Sequence, residues 1–284
     1  MRSRQRRNWR LILDGERPGA LNMAIDEMLG RACDEGGPPT LRFYGWSRPT
    51  LSIGRHQRLE RAADPVACER LGVDLVRRPS GGRAVLHEQE LTYAIALPES
   101  EPVLEHGFRA ALARIADAIT TGLRRIGVPA RRADATRPHL SGAVSPCFAS
   151  CCRDEILVGG LKVAAAAQWR LRAALLQHGS IPLRLDAERL RELTRWRQPA
   201  RLSASVFTGL SPWLAGAETP RPRQEPGPAR PTRLIRLLRD SIMRGIEEGL
   251  GVHLNEAMLG ARELERARQL ETSVYRSRSW TWRC

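Results

Sequence analysis

The apolar positions of the chain change period repeatedly, and each change marks an element. Residues 9–13 are a short strand-like run. From residue 18 the spacing turns helical, with Leu21, Ala24, Ile25, Met28, Leu29 and Ala32 at three- and four-residue intervals. Pro18 suits the start of that helix and Gly36-Gly37 its end. Two β-type runs, TLRFYGW (40–46) and TLSIGR (50–55), are separated by Ser47-Arg48-Pro49, which predicts a hairpin. A helix over 59–71 leads to a strand at 74–78, the glycine pair at 81 and 82, and strand-like runs at 83–87 and 91–97. Residues 102–126 form a long amphipathic helix, with Val103, Phe108, Ala111, Leu112, Ile115, Ile119 and Leu123 on one side. Beyond a loop holding Cys147 come strands at 155–160, 161–170 and 174–183. This order predicts an α+β fold of mostly antiparallel sheets flanked by helices.

Residues 1–215 are expected to form the core of one domain. Residues 216–231, with five prolines and no large apolar side chain, read as an exposed loop. Residues 232–284 are expected to pack on the same domain as a helical segment. Leu234, Ile235, Leu238, Ile242, Met243 and Ile246 are in helical register there, a charged helix spans 260–270, and Trp280 and Trp282 alternate on a short extended tail.

At 284 residues and 42% hydrophobic content the chain can bury a substantial core. Its formal charge of +15 points to anionic partners. The arginines are dispersed and aromatics make up only 5%, so the basic stripe with interleaved stacking aromatics of a nucleic-acid binder is absent. No apolar run approaches a membrane span, and no secretory h-region follows the basic N-terminus. Cys33, Cys68, Cys147, Cys151, Cys152 and Cys284 are unevenly placed, which favours free thiols in a reducing cytoplasm. Adjacent Cys151 and Cys152 are poor chelators of one ion and no matching ligand pair stands elsewhere, so no metal is expected.

Three segments carry chemistry. In RRPSGGRAVLHEQELTY (77–93) two glycines between β-runs allow a tight loop that brings backbone close to a ligand, amid Arg77, Arg78 and Arg83. In SPCFASCC (145–152) Cys147 lies in a loop, whereas Cys33 and Cys68 sit on helix faces as packing residues. In GGLKVAAAAQWR with LLQHGSIPL, Lys162 is the only lysine among 46 lysine and arginine residues. Its neighbours are small and apolar, so burial is expected to lower its pKa. An ammonium beside Cys147 would stabilise the thiolate and could then exchange a proton with a leaving group or an incoming amine. His87 and His178 lie within these strings; His56, His106, His139 and His253 have no such context.

Together the strings resemble the biotin/lipoate protein ligase superfamily, and within it the cysteine-dependent octanoyltransferases. RR-P-SGGRAVLH-EQ-ELTY is similar to that branch's signature; the ligase branch has a third glycine where this chain has Arg83 and an Asn-rich string where it has Glu90-Leu91-Thr92-Tyr93. The resemblance implies a biotin/lipoate protein ligase-like catalytic domain, Cys147 as acyl carrier and Lys162 as the essential lysine. It further implies substrate-binding roles for Arg77, Arg78, Ser80, Gly81, Gly82, Arg83, His87, Tyr93, Gln168, His178 and Gly179. The implied reaction moves octanoate from octanoyl-acyl carrier protein, through a cysteine thioester, to a lysine of a lipoyl domain. Glycine cleavage H protein and 2-oxoacid dehydrogenase E2 are the acceptor classes. No cofactor, nucleic acid or membrane is implied. One departure stands out: where the family usually reads Lys-Ile-Ala-Gly-Ser-Ala-Gln, this chain has Lys162-Val163-Ala164-Ala165-Ala166-Ala167-Gln168, which opens the question of chain length. Three alternatives remain: an amidotransferase between lipoyl proteins, an ATP-dependent lipoate ligase needing no cysteine, and a non-catalytic binding protein of the same fold.

Overall fold

A computed structural model describes residues 6–134, 147, 152–195, 209–214 and 233–283. Along the chain the first half runs β1 (Arg7–Arg17), α1 (Gly19–Asp34), β2 (Thr40–Trp46), β3 (Thr50–Ile53), α2 (Leu59–Ala62), α3 (Pro65–Arg70), β4 (Asp74–Arg77), β5 (Val85–His87), β6 (Glu90–Pro98) and α4 (Gly107–Arg125). The second half runs β7 (Arg131–Arg132), β8 (Ile156–Val158), β9 (Leu161–Arg170), β10 (Ala174–Pro182), α5 (Ala187–Leu193), α6 (Ser211–Leu214), α7 (Arg233–Leu250), β11 (Val252–Glu256), α8 (Ala261–Leu270) and α9 (Arg278–Thr281).

Eight strands make one sheet in the order β11-β1-β2-β6-β10-β9-β8-β7, and β4-β3-β5 make a second, smaller one. In the large sheet only β1 pairs in parallel, with β2 and β11; the other neighbours are antiparallel, as the α+β reading expects. Both faces of the large sheet are covered, which is why β6 reads as a continuous apolar run. Its Leu91, Tyr93, Ile95 and Leu97 face α4 and α7, while Ala94 and Ala96 face the cluster around Met23 and Met28 of α1.

The structure corrects several expectations. The runs at 40–46 and 50–55 form no hairpin, because β2 has both edges occupied by β1 and β6. After Pro49, whose carbonyl accepts from Asp74 N–H at 2.8 Å, β3 starts the small sheet between β4 and β5. The helix over 59–71 is two short ones, broken where Asp64 caps α3 through Val66 and Ala67 N–H. The helix expected over 102–126 begins as a 3₁₀ turn at Pro102–Leu104, and α4 starts at Gly107. The segment from 232 is not wholly helical, since β11 extends the large sheet beside β1. The tail is a helical turn, α9, whose carbonyls converge on Arg77. The loop expected at 216–231 lies outside the described residues.

Candidate active site

Lys162 owes its position to the β8–β9 hairpin. Gly159 and Gly160 both have positive φ (+56° and +85°), the backbone that a two-residue hairpin turn requires. Lys162 then pairs with Leu157, and a register shift between Ile156 and Leu157 brings Glu155, just ahead of β8, within reach of its Nζ. The buried Lys162 Nζ donates to Cys147 O at 3.0 Å, to Cys147 Sγ at 3.3 Å, and to Glu155 Oε1. Glu155 Oε2 in turn accepts from Cys152 N–H at 2.7 Å. Burial alone pulls the ammonium down, as the sequence suggests, but the Cys147 sulfur and the Glu155 carboxylate outweigh it. Lys162 is therefore held above its ordinary pKa, a correction to the expected lowering: its surroundings are apolar along the strand but anionic at its tip.

The glycine loop is shaped by Arg78. Its buried guanidinium donates to Gly81 O (2.9 and 3.1 Å), Arg83 O (2.7 Å), Ser52 O (3.2 Å) and Ser52 Oγ (3.0 Å). The loop packs on Gly54, where a Cβ would stand 2.0 Å from Gly82 O; only glycine permits that approach. Cys147 N–H donates to Ala84 O at 3.0 Å, which fixes the cysteine to the same string.

Two histidines brace this region. His178 Nδ1–H donates to Asp26 Oδ2 (3.1 Å), so its Nε2 accepts from Ser80 Oγ–H (2.5 Å). Burial lowers the His178 pKa despite Asp26, and the ring is neutral. His87 Nδ1–H donates to Glu90 Oε1 (2.8 Å), and its Nε2 accepts from Ser52 Oγ–H (2.8 Å). Glu90 also accepts from Ser180 Oγ–H (2.5 Å), Thr92 Oγ1–H and Trp46 Nε1–H (3.2 Å).

Cys147 borders two cavities. One, of about 440 Å³, runs between the small sheet (Ser52, Val85, His87) and the large sheet (Ala165, Ala167, Gly179, Ser180, Thr92), with Met23 and Trp46 also in its wall. The polar side chains here are tied to one another as just described, so ring faces, methyls and methylenes are what the space meets. The other, of about 920 Å³, holds Lys162, Glu155, Arg83, Arg153, Cys152, Tyr93 and Gln177. Cys147, Gly82, Ala165 and Ala166 belong to both, so the sulfur lies where an apolar channel opens into a charged vestibule.

Of the residues singled out in the sequence, Cys147, Lys162, Gly82, Arg83 and Tyr93 line the vestibule, and Arg78, Gly82, His87, His178 and Gly179 line the channel. Ser80 stands behind His178, and Gly81 serves through its carbonyl. A Cβ at Gly179 would fall 2.5 Å from the Tyr93 ring, which crosses β10 there. Gln168 reaches Tyr93 only through Gln177, by bonds of 2.9 and 3.3 Å. Arg77 lines neither cavity: its donors go to Gly54, Arg55, Gln57, Trp280, Thr281 and Arg283 carbonyls, clasping the tail to the loop beside Gly54. Cys33 and Cys68 are buried packing residues, with burial pushing their thiols up to about 12 and about 11. The sequence does not single out Asp26, Ser52 or Glu155, and it names Glu90 only as part of a signature string. For Asp26 the signal was a carboxylate on the apolar face of α1, and for Glu155 a charge just ahead of the hairpin carrying the lone lysine.

Residues 18–214 match the lipoyl protein ligase A/B catalytic domain family. The octanoyltransferase LipM of Carboxydothermus hydrogenoformans is 36% identical over 97% of this chain and 98% of its own length. The octanoyltransferase LipM of Bacillus subtilis is 32% identical over 98% and 99%. In fold, a lipoate-protein ligase A solved with ATP superposes with a TM-score of 0.76 at 22% identity, covering 97% of this chain and 98% of that one. The bipartite lipoate protein ligase of Thermoplasma acidophilum gives 0.74 at 21%, over 97% and 96%. With its signature strings gathered around one thiol and its likeness extending from end to end, the chain belongs to the lipoyl protein ligase A/B catalytic domain family.

Proposed function

We propose that the chain is an octanoyltransferase of lipoate biosynthesis that works through a thioester on Cys147. Full-length similarity to the LipM octanoyltransferases supports the octanoyl transfer. The observation that carries the cysteine route is the Lys162 ammonium 3.3 Å from Cys147 Sγ, at the junction of an apolar channel and a charged vestibule.

In the first half-reaction the Cys147 thiolate attacks the thioester carbonyl of octanoyl-acyl carrier protein, forming the new S–C bond as the carrier's C–S bond breaks. Lys162 gives its proton to the departing carrier thiolate and becomes neutral. Loss of the thiolate charge on acylation removes one of the two anions that hold Lys162 up, so the ammonium gives up its proton more readily. In the second, the neutral amine of the lipoyl-domain lysine attacks the Cys147 thioester, the amide forms, and Cys147 leaves as thiolate. The proton shed by the nitrogen returns to Lys162, restoring the starting ion pair. The acyl chain lies in the channel, whose wall is almost wholly apolar. The vestibule receives the carrier thiol and then the acceptor lysine. No phosphoanhydride is needed, because the thioester is already activated.

The +15 charge suits docking of acidic carriers and acceptor domains. The cysteines Cys33, Cys68, Cys147 and Cys152 are free thiols, in keeping with a cytoplasmic site of action. Among the described residues no helix is long and apolar enough to cross a membrane. The test is transfer to a purified lipoyl domain from octanoyl-acyl carrier protein without ATP. Transfer is expected; a requirement for ATP and free octanoate would favour the ligase alternative, and a requirement for an octanoylated lipoyl protein the amidotransferase.

A further inference from the structure

A hydrogen-bonded relay at the vestibule has its direction fixed at one end. The Phe108 carbonyl can only accept, so the Gln168 atom 3.2 Å from it is the donor Nε2. The same Nε2 donates to Gln177 Oε1 at 2.9 Å, which leaves Gln177 Nε2 to donate to Tyr93 Oη at 3.3 Å. Tyr93 Oη is therefore the acceptor that ends the relay, and its own proton is not used in it. Among the described residues no acceptor stands against that proton. Burial pushes the Tyr93 phenol up to about 12, so the proton stays in place at neutral pH. A side chain only 3% exposed thus holds an unspent donor in the wall of the vestibule.

Strand register carries this donor towards the sulfur. Tyr93 pairs with Gly179 and Gly179 with Ala166, so the three positions form one row across β6, β10 and β9. Gly179 leaves a gap through which the Tyr93 ring crosses β10, since a Cβ there would stand 2.6 Å from Oη. The hydroxyl consequently lies over β10, about 5 Å, one strand spacing, from Ala166. Ala166 and Cys147 both border the junction of channel and vestibule. With the acyl chain in the channel, what leaves the junction on the vestibule side is the arm of the donor. In a pantetheine thioester the first amide carbonyl follows the sulfur by four bonds of about 1.5 Å in a zigzag, about 5 Å in all. An acceptor lysine carries only methylenes over that length, and its first backbone carbonyl lies two bonds further. Leu112, Ala116, Ala164 and Ala166 give the same wall an apolar surface for the methylenes of the arm.

We infer that Tyr93 binds the donor's arm, its hydroxyl donating to the first amide carbonyl of the pantetheine thioester. This rests on the reading that Cys147 takes its acyl group from a carrier thioester. Gln177 and Gln168 hold the hydroxyl with its proton turned away from them, so the donor is oriented before the arm arrives. A thioester lacking the amide buries that proton without a partner, and the site disfavours it.

The test measures the second-order rate of acyl-enzyme formation by intact mass, without acceptor, for wild type, Tyr93→Phe and Tyr93→Met, beside a thermal melt of each. The donors are octanoyl-acyl carrier protein, S-octanoyl-N-acetylcysteamine, which keeps the first amide, and S-pentyl thiooctanoate, which replaces it by methylenes. Comparing the ratio of the two small donors between proteins cancels their intrinsic reactivity. Tyr93→Phe should lower that ratio about three- to tenfold, the worth of one neutral hydrogen bond, and slow acylation by the carrier to match. A wild-type ratio in a folded Tyr93→Phe would overturn the assignment. If Tyr93→Phe does not melt cooperatively, a wild-type ratio in Tyr93→Met would overturn it equally. So would a wild type acylated by the carrier but by neither small thioester, or a Tyr93→Phe protein slowed only in passing a pre-formed thioester to the lipoyl domain. A wild-type protein that takes no acyl group from any donor would overturn the acyl-transfer reading beneath it, a separate result.

Discussion

The Lys162 ammonium lies 3.3 Å from the Cys147 sulfur and donates as well to the Cys147 carbonyl at 3.0 Å, so one side chain holds both the sulfur and the backbone that carries it. A compact ammonium with rotatable donors can do this and still release a proton. A guanidinium, which every other position of this charge type in the chain carries, cannot.

Lys162→Arg is therefore expected to keep the charge yet lose transfer by about 10²–10⁴-fold, the usual worth of a positioned general acid or base. Lys162→Ala should be worse and should also slow alkylation of Cys147 by iodoacetamide. Near-normal transfer by Lys162→Arg would mean that a cation is enough and that no proton passes through residue 162.

Glu155 acts through Lys162, holding the ammonium up against burial. Glu155→Gln removes the charge and keeps the shape. Lys162 should then lose its proton at lower pH, so the alkaline limb of the transfer profile moves down, with kcat falling more than KM changes. An unmoved alkaline limb would leave Glu155 only a packing role.

Much of this site was legible in the sequence because its signals are local. The glycine pair, the lone lysine and the cysteine in a loop each announce themselves within a few residues. The non-local partners did not. Asp26 reaches His178 across 152 positions, and Ser52 reaches His87 across 35; nothing in either neighbourhood names the other. The false hairpin has the same origin, since β2 and β3 carry proper strand patterns and only sheet order shows that β2 has no free edge. Arg77 and Arg78 are adjacent in one motif, yet Arg77, the last residue of β4, reaches the tail and Arg78, just beyond it, the glycine loop.

His178 gives the stability a pH dependence. Its folded pKa lies below the unfolded value of ~6.5, so between the two the unfolded chain binds more protons. The stability it contributes is fully present above ~6.5 and falls as pH is lowered through that window. Wild-type Tm is expected to drop between pH 7 and pH 5.5, by about 2–4 °C for each kcal/mol lost. His178→Gln should melt lower throughout but lose that part of the slope. An identical slope in both proteins would show that the buried ring is not what titrates.

The claim that decides the rest is that Cys147 alone carries the acyl group. Purified protein is mixed with octanoyl-acyl carrier protein in the absence of ATP and lipoyl domain, and the adduct is located by intact mass and peptide mapping. One octanoyl group on Cys147 is expected, retained in Cys151→Ser and Cys152→Ser and absent from Cys147→Ala. Octanoate mapped to Cys151 or Cys152 in the wild type, or full transfer to a lipoyl domain by Cys147→Ala, would contradict the account.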